Sequence, residues 1–293
     1  FVLGACFALI GAFLSSTPPF QNAMAMDANR CGIPVVYGFC RGVGSVSYAA
    51  AVLLLGFVLE RHAPTLLLPV FAALTACGLI AMSGFRLPER PDEAADRPAE
   101  HRSIAAVLRS HPRFALTLLG CMFFFLTHTI SNTYMNALVG KAGGTASAVG
   151  TSLAISAVLE LPAMTLVSRL QKRFSPGFFL RFAAGAEVVK FLIFYLARSM
   201  PLIYLGHCMQ FFQFAVYAPA TVYYVAAALP ERDQLKGQSL IYVAGSGLGG
   251  ALGNLLGGRL LDRSGIQAAL LLGTVSAAAS LLTFCLSTRE DSR

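Results

Sequence analysis

Glu160, Glu187, Lys190, His207 and Arg41 are ionisable residues lying inside long apolar runs. A charge within a bilayer is costly, so such side chains face a bundle interior or a cavity and point to function by default. Two kinds of chemistry suit them. A solute with hydroxyls or a carboxylate needs polar partners in a dry cavity. Proton coupling needs a carboxylate or histidine whose proton affinity changes between states. Glu160 is the first candidate for both, and Pro162 beside it frees a backbone carbonyl able to face the same cavity. Glu187 and Lys190 are three residues apart on one helical face, close enough to pair. His207, Gln210 and Gln213 recur at i, i+3 and i+6, roughly one face of a helix. Arg41 stands among Gly38, Gly42, Gly44 and Ser45, small residues that let helices approach closely. It can meet a substrate carboxylate or pair with Glu160. Asn22 follows the Pro18-Pro19 pair, and Asn132 sits in the polar run THTISNTYMN. Both offer hydrogen bonds without charge. Each candidate also has a plainer use: a structural ion pair for Glu160, Arg41 or Glu187–Lys190, and an interhelical hydrogen bond for His207. Tyr134, Asn136, Tyr217 and Tyr223 are lesser candidates for a cavity wall, more simply read as packing.

The elements that would carry these residues are membrane helices. The chain is 56% hydrophobic and 12% charged, with a mean hydropathy of +0.66, where a soluble domain carries about a quarter charged residues. The apolar residues form blocks of bilayer-spanning length, and a helix satisfies its own backbone in lipid. The pattern predicts nine spans, near 1–28, 33–59, 64–85, 112–139, 145–170, 176–197, 201–229, 236–261 and 266–286. Pro18-Pro19 should kink the first. Gly245, Gly249, Gly253 and Gly257 repeat every four residues in the eighth, a ridge for tight packing. Residues 104–110 form a short amphipathic lead-in before the fourth.

Three spans precede the polar run Arg86–Ser103 and six follow it. That run holds five of the fourteen acids and three of the fourteen prolines, so it stays solvated. It divides the chain into 1–85, a linker 86–110, and 111–293. With the linker placed in the cytoplasm and the spans alternating, fourteen of the 22 basic residues fall inside and five outside. This is the positive-inside bias, and it puts the C-terminus in the cytoplasm. The formal charge of +8 resides in these loops and forms no stripe for nucleic acid.

The seven cysteines are scattered singly, with no CxxC and no His/Cys ligand spacing, so neither a metal, a cofactor nor a disulfide framework is indicated. There is no HExxH, no GxSxG and no pair of aspartates, which argues against an enzyme.

Six helices after a long charged linker resemble the C-terminal half of a major facilitator superfamily transporter, a 6+6 fold of twelve helices. RGVGSVSY at Arg41–Tyr48, LELPAM at Leu159–Met164 and GGRLLDRSG at Gly257–Gly265 look like the branch containing lactose permease and the phenylpropionate and nucleoside permeases. The resemblance covers the whole chain. It implies an all-α integral membrane protein formed by the last nine of those twelve helices, with about three helices lying before Phe1. Residues 1–85 would then be the last three helices of the N-terminal half and 111–293 the complete C-terminal half. It further implies a proton-linked secondary transporter, a monomer in a bacterial inner membrane, whose partners are a small polar solute (a sugar, nucleoside or aromatic acid), the proton and the bilayer.

By the same resemblance Glu160 and Arg41 match sugar-binding positions, and Lys190 matches an arginine of the proton-coupling network. The face of His207, Gln210 and Gln213 matches a Lys/His/Glu series. Gln213 holds its acid position and cannot titrate, and Asn132 stands near an aspartate position. The proton would then fall to Glu160, Glu187 or His207, aided by Lys190. Two rival readings are an exporter of drugs or metabolites, favoured by Phe123, Phe124, Phe125, Phe211 and Phe212, and a membrane fragment that transports nothing.

Overall fold

The computed structural model describes residues 2–59, 64–84 and 103–288. Most of the expected linker lies outside the described residues, as do Phe1 and Arg61. The described residues are helical with short connections and contain no strand.

The segment before the linker supplies α1 (Val2–Arg30), α2 (Tyr37–Leu59) and α3 (Leu67–Ser83). After it come α4 (Ile104–Ser110), α5 (Pro112–Thr133), α6 (Met135–Lys141), α7 (Ala146–Leu170) and α8 (Pro176–Leu196). The chain continues with α9 (Met200–Cys208), α10 (Phe214–Ala228), α11 (Glu231–Tyr242), α12 (Gly250–Ser264) and α13 (Ile266–Ser287). Local sequence sets the boundaries. Ser103 caps α4 by accepting from the Ala106 N–H, and Ser175 caps α8 by accepting from the Phe178 N–H, both at 3.2 Å. Proline opens α5 and α8, where its missing N–H costs nothing. The turn from α12 to α13 passes through Gly265 at φ 76°, a conformation that only glycine adopts freely.

The expected spans are refined in four places. The first helix runs on through Pro18 and Pro19 to Arg30. The fourth is broken at Tyr134, separating α5 from α6. The seventh is interrupted between Cys208 and Phe214 by a 3₁₀ turn, Met209–Phe211, and by Gln213 at φ −101°, ψ −94°. The eighth contains a π-helical stretch, Val243–Gly249, between α11 and α12. The count of nine spans becomes coarser. Among the described residues five helical segments are long and apolar enough to cross a membrane: 112–133, 148–170, 200–228, 231–264 and 266–287. The expected sixth span, α8, is the exception after the linker, and it carries Arg181, Glu187 and Lys190.

The burial pattern is inverted relative to a water-soluble bundle. Outward faces carry Leu196, Val275 and Leu282, each at least 60% exposed, while Glu160, Glu187, Lys190, His207, Gln210 and Gln213 are buried. Such extensive exposed apolar surface marks contact with lipid. Interior packing is aromatic where α5, α10 and α13 meet. Phe124 stacks on Tyr217 with centroids 3.9 Å apart, and Phe284 lies against Tyr217.

Glycine allows two close helix approaches. A Cβ on Gly253 would lie 2.7 Å from the Leu126 carbonyl oxygen, and one on Gly257 2.6 Å from the Tyr134 ring. The four-residue glycine ridge therefore packs on the α5 segment as its spacing predicts. Gly38 and Gly42 do the same for α2 against α7. A Cβ on Gly42 would come within 2.7 Å of Leu161 Cα, and one on Gly38 would strike the Met164 carbonyl. The Gly38 N–H donates to Ser168 Oγ at 3.0 Å. This seam joins the segments that precede and follow the linker.

Candidate functional site

Beside the α2–α7 seam lies a cavity of about 290 Å³. Arg41, Ser45 and Tyr48 enter it from α2, Ser156 and Glu160 from α7, His128 and Asn132 from α5, and Gln210 from the interrupted seventh span. Successive helical turns explain these groupings. Arg41, Ser45 and Tyr48 follow an i, i+4, i+7 stripe, and both His128–Asn132 and Ser156–Glu160 are i, i+4 pairs.

Glu160 is 9% exposed and is held from both sides. The Ser45 hydroxyl donates to Oε2 across the seam, and Gln210 Nε2 donates to Oε1 at 2.9 Å. The Gln210 carbonyl oxygen in turn accepts from Lys190 Nζ at 3.1 Å. Lys190 is fully enclosed, with its ammonium 5.8 Å from the centroid of the Phe194 ring. A polar chain thus runs from the cavity wall into the bundle, Ser45–Glu160–Gln210–Lys190. The 3₁₀ turn containing Gln210 aims its amide between the two charged groups.

His207 is buried and shares a hydrogen bond between Nδ1 and Ser156 Oγ at 3.1 Å, while its Nε2 has no partner. It therefore reaches the cavity through Ser156. Glu187 is wholly buried, and neither of its carboxyl oxygens has a hydrogen-bond partner. The expected Glu187–Lys190 ion pair does not form, because Lys190 is turned toward Gln210. The two still feel each other's charge, and Lys190 also feels that of Glu160. No ion pair joins Arg41 to Glu160. Both line the cavity, but Ser45 and Gln210 occupy the carboxylate.

Two expected residues stand elsewhere. Gln213 is buried at the helix break with both amide atoms unpartnered, outside the cavity wall. Asn22 lies near the Arg30 end of α1, where its Oδ1 accepts from the Tyr37 hydroxyl at 2.7 Å. The lesser tyrosine candidates serve packing and bracing. Tyr217 is stacked in the core, Tyr223 bonds Ser168 at 3.0 Å, and Tyr134 donates to the Asn254 carbonyl at 2.6 Å.

Sequence reasoning missed His128 and Ser156. His128 stacks on Phe214 with centroids 4.5 Å apart, and its buried Nδ1 has no partner. Its spacing of four from Asn132, and that of Ser156 from Glu160, were the available signals. The phenylalanine runs do not line this cavity. Phe124 is core, while Phe211 and Phe212 border a separate apolar cleft with Phe178 and Phe182.

Comparison with known proteins agrees with this architecture. The maltose permease of Geobacillus stearothermophilus is 28% identical over 286 residues, covering 97% of this chain and 71% of that protein. The uncharacterized transporter YwbF of Bacillus subtilis (strain 168) is 22% identical over 293 residues, again covering 71% of that protein. Among solved structures, the major facilitator transporter FucP in the outward conformation superposes with a TM-score of 0.57 at 16% identity, over 93% of this chain and 69% of that one. The fucose:proton symporter FucP of Escherichia coli, in another crystal structure, gives a TM-score of 0.55 at 16% identity, and the chain spans only 60% of its length. The model of the MFS_1 like family matches residues 2–272. With a family match of that extent, a helical fold shared with FucP and an interior polar chain wrapped in apolar faces, this chain belongs to the MFS_1 like family of major facilitator transporters.

Proposed function

We propose that the chain forms the larger part of a secondary transporter that takes up a small polar organic solute by alternating access, coupled to protons. The observation that carries this reading is the Ser45–Glu160–Gln210–Lys190 chain. It connects a cavity of solute size to a fully buried ammonium. It also crosses the α2–α7 seam, where two halves that rock against each other would have to part.

In this reading Arg41, Asn132, Glu160 and Gln210 bind solute hydroxyls or a carboxylate, His128 and Tyr48 shape the wall, and His207 acts through Ser156. Solute binding draws the Glu160 carboxylate away from Gln210, which alters the field at Lys190. Glu187, buried beside Lys190 with no hydrogen-bond partner in this conformation, is the group available to take up the proton that follows. Residues 1–85 and 111–293 serve as parts of the two halves joined by a cytoplasmic linker. The protein resides in the bacterial inner membrane as a monomer with its C-terminus in the cytoplasm.

Sugars are the first solutes to test, because maltose and fucose appear in the names of two similar transporters. The experiment is uptake of labelled sugars into vesicles holding the protein, with and without an inward proton gradient. Gradient-driven uptake that is lost in Glu160→Gln, and that becomes independent of the gradient in Glu187→Gln, supports the reading. Uptake unchanged in both variants would overturn the assignment of these residues.

A further inference from the structure

A cleft of about 780 Å³ shares no lining residue with the polar chain. It opens between α2 and α7, with Met26 and Asn29 of α1 and Tyr223 of α10 completing its wall, at the ends that the positive-inside count places toward the cytoplasm. Its walls differ in character. Val36 and Phe39, each 50% exposed, give it an apolar flank. Arg169 and Lys172 stand on the opposite flank, both exposed, and neither makes a hydrogen bond or ion pair with any described residue. The hydroxyls at the cleft floor are already engaged, Tyr37 with Asn22 and Tyr223 with Ser168.

We infer that this cleft binds an anionic phospholipid from the surrounding leaflet. The occupant must be both anionic and apolar, because two uncompensated cations face an aromatic and aliphatic wall at the end of two membrane helices. A free polar anion would leave Phe39 and Val36 in water, and an uncharged lipid would leave Arg169 and Lys172 without a counter-ion. Basic groups near a membrane surface each favour anionic lipid. The phosphate sits between Arg169 and Lys172, and an acyl chain runs along Phe39 toward the membrane interior. The cleft straddles the seam closed by Gly38 and Ser168, so a bound lipid touches both segments that a rocking motion would separate. The inference needs α2 and α7 to lie in a membrane and does not depend on which solute is carried.

The chain contains no tryptophan, so a single introduced indole reports locally. Phe39→Trp places it in the cleft, and Val36→Trp is a second position should the first fail to fold. Leu282→Trp, on the exposed face of α13 near its C-terminal end, is the control, at an end the positive-inside count also places toward the cytoplasm. Each protein is reconstituted in phosphatidylcholine vesicles containing equal fractions of either brominated phosphatidylglycerol or brominated phosphatidylcholine. The expected result is at least twofold more efficient quenching by the anionic lipid at Phe39→Trp, no such preference at Leu282→Trp, and loss of the preference when Arg169→Gln and Lys172→Gln are added. Equal quenching by the two lipids in the cleft, a preference of the same size at Leu282→Trp, or a preference that survives removal of both cations would each overturn the inference.

Discussion

Gln210 donates through Nε2 to Oε1 of Glu160 at 2.9 Å. An uncharged side chain thereby stands between a buried carboxylate and a buried ammonium that would otherwise attract each other directly. The arrangement keeps Glu160 at the cavity wall instead of drawing it inward to Lys190.

Replacing Gln210 by leucine removes both hydrogen bonds. Lys190 loses its acceptor inside the bundle, and an unsatisfied buried polar group costs about 1–3 kcal/mol, more when it is charged. The expected outcome is a lower Tm in detergent together with loss of uptake. A Gln210→Leu protein of unchanged Tm would show that Lys190 has another partner.

Ser45→Ala tests the hydrogen bond across the seam. Glu160 keeps its Gln210 contact, so the fold should hold. Removing a hydrogen bond to a charged group is worth about 1.5–3 kcal/mol. If Ser45 orients Glu160 for the solute, KM should rise by about tenfold or more, since each 1.4 kcal/mol is a factor of ten. An unchanged KM in transport assays would remove Ser45 from the site.

Gly38→Ala and Gly44→Ala form a matched pair. A methyl at Gly38 runs into the Met164 carbonyl and Ser168, whereas one at Gly44 comes no nearer than 3.8 Å to a neighbour, an Arg41 nitrogen. Overpacking costs about 1–3 kcal/mol. Thermal unfolding should therefore separate the two, with Gly38→Ala clearly destabilised and Gly44→Ala close to the parent.

His128→Phe separates binding from packing. Phenylalanine preserves the stack on Phe214 and removes a buried nitrogen that has no partner, so Tm should be equal or higher. Solute uptake should fall if His128 contacts the solute. Retained uptake would make His128 a packing residue.

The sequence conveyed the helical membrane class, the helix starts near residues 104, 176 and 266, and the glycine ridge, because proline, polar breaks and small-residue spacing act locally. It conveyed Glu160 and Arg41 as cavity residues, because charge in an apolar run has few other uses, and Gln210 by its helical spacing from His207. The partners were hidden. That Lys190 would turn to Gln210 and leave Glu187 alone depends on the interruption between Cys208 and Phe214, where Gln213 leaves helical geometry at φ −101°, ψ −94° and the i, i+3, i+6 face assumed for His207, Gln210 and Gln213 is broken. Gln213 leaves the cavity for the same reason. That Asn22 meets Tyr37 was hidden as well, because position along α1 says nothing of which α2 side chain it faces.

The π-helical stretch Val243–Gly249 has a bearing on how four glycines can serve one neighbour. On an ideal α-helix a four-residue repeat overshoots a full turn by about 40° at each step, so a long ridge spirals away from any straight partner. A π turn closes through i→i+5 bonds and holds more residues, so the same repeat undershoots. Gly245 and Gly249 belong to the π stretch, and Gly253 and Gly257 to the α-helix that follows. The two drifts oppose each other, and all four glycines come to face the same segment, against Phe125, Met122, Leu126 and Tyr134 in turn. The change of winding acts as a phase correction, keeping the ridge aligned with its neighbour over a length that neither helix type would sustain alone.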